Sequence, residues 1–107
     1  MQVESSGTQT ATIGNEHTLS SPTTAKTRVL VVDAATLVSG ETVELRFKAK
    51  VLPGGTERLI RVESFPGPLT EPHIQSPPFV MPEGGTITLK QVGGTGRSFP
   101  WAIITLD

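Results

Sequence analysis

The fold is decided by the stretch Val43-Glu44-Leu45-Arg46-Phe47-Lys48-Ala49-Lys50-Val51, in which apolar and charged residues alternate without a break. Side chains of an extended strand point to opposite faces in turn, so a period of two places the apolar residues on one face and the charged residues on the other. A helix would scatter both kinds around its circumference. The stretch therefore predicts a β-strand with a solvated face and a buried face, the latter formed by Val43, Leu45, Phe47, Ala49 and Val51.

The residues that follow this strand predict an antiparallel hairpin. Pro53-Gly54-Gly55 is typical of a tight turn, because glycine adopts positive φ without steric cost. The chain is then expected to return over residues 56–65, where Ile60 and Val62 alternate with Arg61 and Glu63. Acidic and basic residues occur on both strands, and we expect them to pair across the hairpin on its solvated face.

Short apolar runs bounded by glycine and proline predict the other strands. Within residues 28–33 the four residues 29–32 are all apolar, which is typical of a strand that is covered on both faces. Residues 34–40 are too few for a stable helix and are interpreted as a helical turn or loop that places Leu37 in the core. Further strands are expected at residues 73–75, 79–81, 86–92 and 97–106, with 93–96 as a hairpin loop before the last of them.

The last strand carries two large aromatic rings, Phe99 and Trp101, on either side of Pro100. Burial of both rings in the core is the favoured interpretation, because they supply much of the apolar area of the chain. The alternative is that they cover a symmetry axis between subunits, since proline is found mainly on edge strands.

Together these elements predict the fold class. Seven to nine short strands separated by glycine and proline turns indicate an all-β, single-domain antiparallel β-sandwich, either a jelly roll or an Ig-like fold. A chain of 107 residues has the length of one domain. Residues 21–107 would form the sandwich. Residues 1–20 are rich in serine and threonine, with two short strands expected around Gly14-Asn15, and would form an N-terminal arm or edge hairpin.

Composition argues against several classes of partner. A formal net charge of −1 gives no basic face for nucleic acid. The sequence contains no run of about 18 apolar residues, so no membrane partner is expected. Residues 1–6 show neither the basic nor the apolar region of a secretory signal. With no cysteine in the chain, disulfides and thiolate metal sites are excluded.

The sequence shows no recognisable catalytic, cofactor or metal site, and we expect a protein that is not an enzyme. His17 and His73 each stand alone, without the spacing of a metal site. No serine lies in the motif of an activated nucleophile. The run Gly93-Gly94-Thr95-Gly96-Arg97 lacks the lysine and the following helix of a phosphate-binding loop.

Several segments in order resemble the small structural proteins of tailed bacteriophages, over roughly residues 18–107. The first is Arg28-Val29-Leu30-Val31-Val32-Asp33, followed by Leu37, Gly40, Val43-Glu44-Leu45-Arg46 and Lys50-Val51. The turn Gly54-Gly55-Thr56 and the ending Gly94-Thr95-Gly96-Arg97-Ser98-Phe99-Pro100-Trp101 complete the resemblance. It implies a virion component on the outer surface of the capsid, made in the host cytoplasm: a head decoration or cement protein that bridges capsid subunits.

Such a protein would bind the major capsid protein of its own virion and would associate with itself as a dimer or trimer. We expect the contacts to be made by the N-terminal segment and by the proline-rich stretch between residues 66 and 82. The candidate partner-binding residues are Thr8, Thr10, Thr12, Ile13, Pro66, Pro68, Pro72, Pro77 and Pro78. The alternatives are a tail, connector or fibre-associated module of the virion, and a stand-alone binding domain for carbohydrate or protein.

Overall fold

The computed structural model describes residues 1–106, which form nine β-strands and no helix. Those residues therefore contain no helical segment able to span a membrane. The all-β prediction is confirmed, and the strands expected at residues 73–75 and 79–81 have the predicted bounds. The strands are β1 (Gln2–Thr10), β2 (Glu16–Ser20), β3 (Lys26–Asp33), β4 (Thr42–Ala49), β5 (Arg58–Pro66), β6 (His73–Gln75), β7 (Phe79–Met81), β8 (Gly85–Val92) and β9 (Ser98–Thr105).

The strands form two antiparallel sheets with a jelly-roll order. Sheet A has the order β1-β9-β3-β6, with β7 also paired to β3, and sheet B has the order β2-β8-β4-β5. The first strand, β1, thus pairs with the last, β9, and β2 pairs with β8. The pairing continues inward along the chain until β4 pairs with β5. This nested pairing is that of a long hairpin wrapped around a core, which is the jelly roll rather than the Ig-like arrangement.

Strands β6 and β7 act as one strand that prolines interrupt. Both pair with β3, one at each of its ends. Pro77 and Pro78 lie between them and have no N–H to donate to the ladder. Ser76 bridges the gap, because its N–H donates to the Leu30 carbonyl over 2.9 Å and its Oγ accepts from the Leu30 N–H over 3.0 Å.

The core lies between the sheets and follows the alternation of β4. Val43, Leu45, Phe47 and Ala49 are all buried, as predicted. The Phe47 ring reaches across to sheet A, with its centroid 4.6 Å from that of Phe79 on β7. Val51 is the exception, because β4 ends at Ala49 and the turn leaves its side chain 72% exposed.

The N-terminal residues belong to the sandwich and do not form a hairpin. β1 lies at the edge of sheet A, paired with β9, and β2 lies at the edge of sheet B, paired with β8. The two strands are consecutive but enter different sheets, so their main chains do not pair with each other. Gly7 on β1 lies beneath the half-buried Trp101 ring, where a Cβ would come within 3.3 Å of the indole.

A buried ion pair fixes β1 to the rest of the domain. The Arg28 side chain is completely buried and donates from Nε and Nη2 to the two carboxylate oxygens of Glu4, over 2.7 and 2.8 Å. Its remaining donors reach the carbonyl and hydroxyl oxygens of Thr24. The carboxylate of an edge strand therefore neutralises a charge inside the sandwich.

The charge pairing expected across the β4–β5 hairpin is wrong. A register shift between Phe47 and Lys48 places Arg61 opposite Phe47 and Val62 opposite Arg46. The ion pairs consequently form within strands, between Arg46 and Glu44 over 2.6 Å and between Arg61 and Glu63 over 3.2 Å. Charged residues thus occupy the core-facing side of an edge strand, which is one way that sheets prevent edge-to-edge aggregation.

The glycine-rich segment at residues 93–96 is a connection between sheets rather than a hairpin loop. β8 lies in sheet B and β9 in sheet A, so the segment crosses from one to the other. The buried side chain of Gln91 holds it in place by donating to the carbonyls of Gly93 and Thr95, over 3.1 and 2.7 Å. The Arg97 N–H donates in turn to Gln91 Oε1 over 2.8 Å.

Candidate assembly surfaces

Part of the outer face of sheet A is apolar and uncovered. Buried residues alternate along β3 and β9, so the residues between them project away from the core. These residues pair with one another on adjacent strands: Val3 with Ile104, Ile104 with Val29, and Ala102 with Val31. We call this surface the A-face and define it by Val3, Val29, Val31, Ala102, Ile104 and Leu106.

The A-face corrects one expectation from the sequence. The run at residues 28–33 was expected to be covered on both faces, and only the face carrying Leu30 and Val32 is covered, by sheet B. Val29 and Val31 are half-buried by their own neighbours, while Val3 and Leu106 remain 56% and 42% exposed. The outward-facing apolar residues of β3 therefore belong to a second surface, which nothing in the single chain covers.

Two shallow grooves cross the A-face. One, of about 320 Å³, is lined by Val29, Val31, Ile104 and Leu106 together with Met1 and Pro78. The other, of about 240 Å³, lies beside Pro100 and Ala102 and reaches the pair formed by Asp33 and His73. These two are the only ionisable residues that the described strands place on this face.

The outer face of sheet B has the opposite character. Glu16 on β2 lies near two basic residues of β4, with Lys48 Nζ at 3.2 Å and Arg46 Nη1 at 3.7 Å. The Thr88 hydroxyl donates to the same carboxylate over 2.6 Å, and this bond, with the basic neighbours, holds the pKa of Glu16 below its usual value. Exposed ion pairs of this kind mark a solvated face.

A second apolar surface lies at the end and outer edge of the β4–β5 hairpin. Val51 and Leu52 in the turn are 72% and 67% exposed. Leu59, Ile60 and Val62 on β5 are exposed beside them, and β5 is an edge of sheet B. We call this surface the hairpin tip, defined by Val51, Leu52, Leu59, Ile60 and Val62. Clusters of exposed aliphatic residues are typical of sites that bind other macromolecules.

A buried carboxylate ties the loops together at one end of the sandwich. Glu41 accepts hydrogen bonds from the N–H groups of Val38 and Thr95, each over 3.0 Å. The Arg97 guanidinium donates to both of its oxygens over 2.9 to 3.1 Å. These donors, Arg97 above all, lower the pKa of Glu41 to about 2. The group has its acceptors satisfied, and the arrangement suits a structural role.

The histidines lie apart from each other. His17 Nε2 accepts from the Thr12 N–H over 2.9 Å, so its ring closes the turn between β1 and β2. His73 lies on the edge strand β6, beside the Gln75 amide. Over residues 1–106, no group of three histidine or acidic side chains is placed to hold a metal ion.

The predicted partner-binding residues separate into four places. Thr8 and Thr10 lie on the A-face side of β1, and Pro78 lines the larger A-face groove. Thr12 and Ile13 form the connection between the two sheets, where Ile13 is 40% exposed. Pro77 is exposed between β6 and β7. Pro66 ends β5, and Pro68 and Pro72 follow it in the next loop, where the Pro72 carbonyl accepts from the Ala34 N–H.

Sequence reasoning missed most of the residues that form the two apolar surfaces. A signal for the A-face was available, because consecutive apolar residues at 29–32 and 103–104 must supply both faces of a strand. For the hairpin tip the signal was Val51-Leu52 directly before a proline-glycine turn.

Comparisons with protein families, with curated proteins and with solved structures gave no match to the chain.

Proposed function

We propose that the protein is a structural component of a tailed-bacteriophage virion, and specifically a capsid decoration or cement protein. It would bind the major capsid protein on the outer surface of the shell and stabilise the shell by bridging capsid subunits. The observation that carries this proposal is the presence of two separate exposed apolar surfaces, the A-face and the hairpin tip. The kind of assembly is taken from the resemblance over residues 18–107.

Two surfaces suit a bridging role better than one. A protein that only folds and binds a small ligand needs one concave site. A protein that bridges subunits needs separate contact surfaces on a scaffold that transmits force between them. The jelly roll supplies such a scaffold, because its strands are paired on both sides except at the edges of the two sheets, and a close-packed core resists compression.

The hairpin tip is the surface that we assign to the capsid. Its five aliphatic side chains lie on and beside an edge strand, where main-chain groups are free to pair with an extended segment of a partner. Arg61 and Glu63 point toward the core side of this strand, which disfavours unselective pairing of two such edges. A partner that supplies both a strand and apolar side chains fits this edge best.

The proposal is tested by adding the purified protein to expanded capsids of the phage that encodes it and counting the copies bound per particle. Copies in the hundreds, spread over the shell, are expected. Leu52→Asp should reduce binding at least about tenfold, because it places a charge in the apolar contact. Val92→Asp, at a side chain 45% exposed elsewhere on sheet B, is the matched control and should bind normally.

Other counts would contradict the cement role. Copies in multiples of three, six or twelve at one vertex or along the tail would assign the protein to the connector, tail or fibre instead. No binding to any part of the particle, with a folded protein, would remove the virion proposal altogether.

A further inference from the structure

We propose that the A-face binds the A-face of a second copy of this chain, giving a symmetric dimer in which the two sheets A pack face to face. The inference rests on the proposed assembly role and names a partner within it. It starts from the contrast between the two outer faces of the sandwich. One carries an ion-pair network, and the other carries aliphatic side chains.

Charge identifies the second copy as the occupant. Along the described strands of sheet A, Asp33 and His73 are the only ionisable residues on this outer face, and they lie opposite each other on adjacent strands at one end of it. An apolar, uncharged surface needs a partner surface of the same kind, since burying an unpaired charge against it would be costly. The outer face of sheet B, with Glu16, Arg46 and Lys48, does not qualify. Of the two apolar surfaces on this chain, the hairpin tip is the one that we assign to the capsid, which leaves the A-face itself as the match.

Symmetry supports the same choice. Contact between identical faces is isologous and closes at two subunits, whereas contact between different faces leads to rings or filaments. Because the charged face of sheet B cannot cover the A-face and the hairpin tip is assigned to the capsid, the open-ended arrangement is disfavoured. Sheets that pack face to face interdigitate their side chains at a separation of about 10 Å. The rows Val3–Ile104–Val29 and Ala102–Val31 provide the ridges for such packing.

The area of the face sets the strength of the dimer. The whole outer face of sheet A, four strands wide with two central strands of eight residues each, covers roughly 500 Å² at the usual strand spacing, and the A-face is part of it. Standard interfaces bury about 800 Å² per partner, and weak or transient ones bury less. The A-face therefore suits a weak dimer that forms as concentration rises, as it would on a crowded capsid surface.

The test is light scattering during gel filtration of the intact chain over a range of concentrations. The wild-type mass should rise toward twice the 11.3 kDa of a single chain. Ile104→Glu, in the middle of the face, should keep the mass at that of one chain. Val3→Glu is the second variant, because Val3 is already 56% exposed and the substitution should leave folding intact. Val62→Glu, on the hairpin tip, is the matched control and should dimerise like the wild type.

Three results would overturn the inference. A wild-type mass that stays at one chain at every concentration would do so, as would a dimer that survives Val3→Glu and Ile104→Glu in folded proteins. Loss of capsid binding by Val3→Glu in a protein that never dimerises would give the A-face to the capsid instead. If the protein dimerises but does not bind capsids, the proposed function is wrong and the inferred dimer is unaffected.

Discussion

Glu41 is the residue on which the loops at one end of the sandwich depend. Its carboxylate is reached by the guanidinium of Arg97 and by two backbone N–H groups, and its own carbonyl accepts from the Gly67 N–H over 2.7 Å. Three loops are therefore joined at this one residue, two of them through its side chain and the third through its main chain. Nothing local to Glu41 in the sequence indicates that Arg97 lies beside it in the fold.

Acid should weaken the protein through this residue. The pKa of Glu41 is lowered from 4.5 to about 2, so its contribution is fully present above pH 4.5 and is lost as pH falls from there toward 2. We expect Glu41→Gln to be less stable than the wild type at neutral pH, and the difference to shrink across this window. Urea unfolding at a series of pH values measures it. Glu71→Gln, in an exposed loop, is the control, and a constant difference at all pH values would contradict the assignment.

At the scale of single elements, the strands were predictable and their neighbours were not. The alternation at residues 43–51 predicted β4 and its buried face, because a half-buried strand has apolar and polar residues at alternate positions of its sequence. The same local reasoning read β1 and β2 as a hairpin, because a Gly14-Asn15 turn looks alike whether the chain reverses within one sheet or crosses to another. Strand order is fixed by contacts between β1 and β9 or β2 and β8, which are far apart in the chain.

The anchoring of β1 depends on one ion pair. Glu4→Gln leaves the fully buried Arg28 without a charged partner, which should cost about 1–3 kcal/mol of unfolding free energy. Amide hydrogen exchange in β1 should accelerate more than in β4. Glu63→Gln removes an ion pair of 3.2 Å whose arginine is 42% exposed, and it should cost under about 1 kcal/mol. Equal losses in the two variants would show that burial of Arg28 does not determine the effect.

For the whole molecule, the sequence predicted the two sheets of a sandwich but not what covers their outer faces. The apolar run in β3 was expected to be covered on both faces, and the single chain covers one. The predicted assembly role drew attention to threonines and prolines in the terminal and loop segments. The structure instead concentrates exposed aliphatic area on the A-face and the hairpin tip, with Thr8, Thr10 and Pro78 beside the former. In the sequence, a partner surface is marked locally only by apolar residues that the core of the fold does not need.

Contact between the A-faces of two copies is tested most directly by nuclear Overhauser effects between differently labelled chains. An equal mixture of a methyl-labelled chain and an unlabelled chain, filtered for intermolecular transfer, reports only contacts across an interface. The account predicts transfer between copies at the methyl groups of Val29, Val31 and Ile104, strengthening with concentration. Intermolecular transfer confined to Leu52 and Leu59, or absent at the highest attainable concentration, would contradict it.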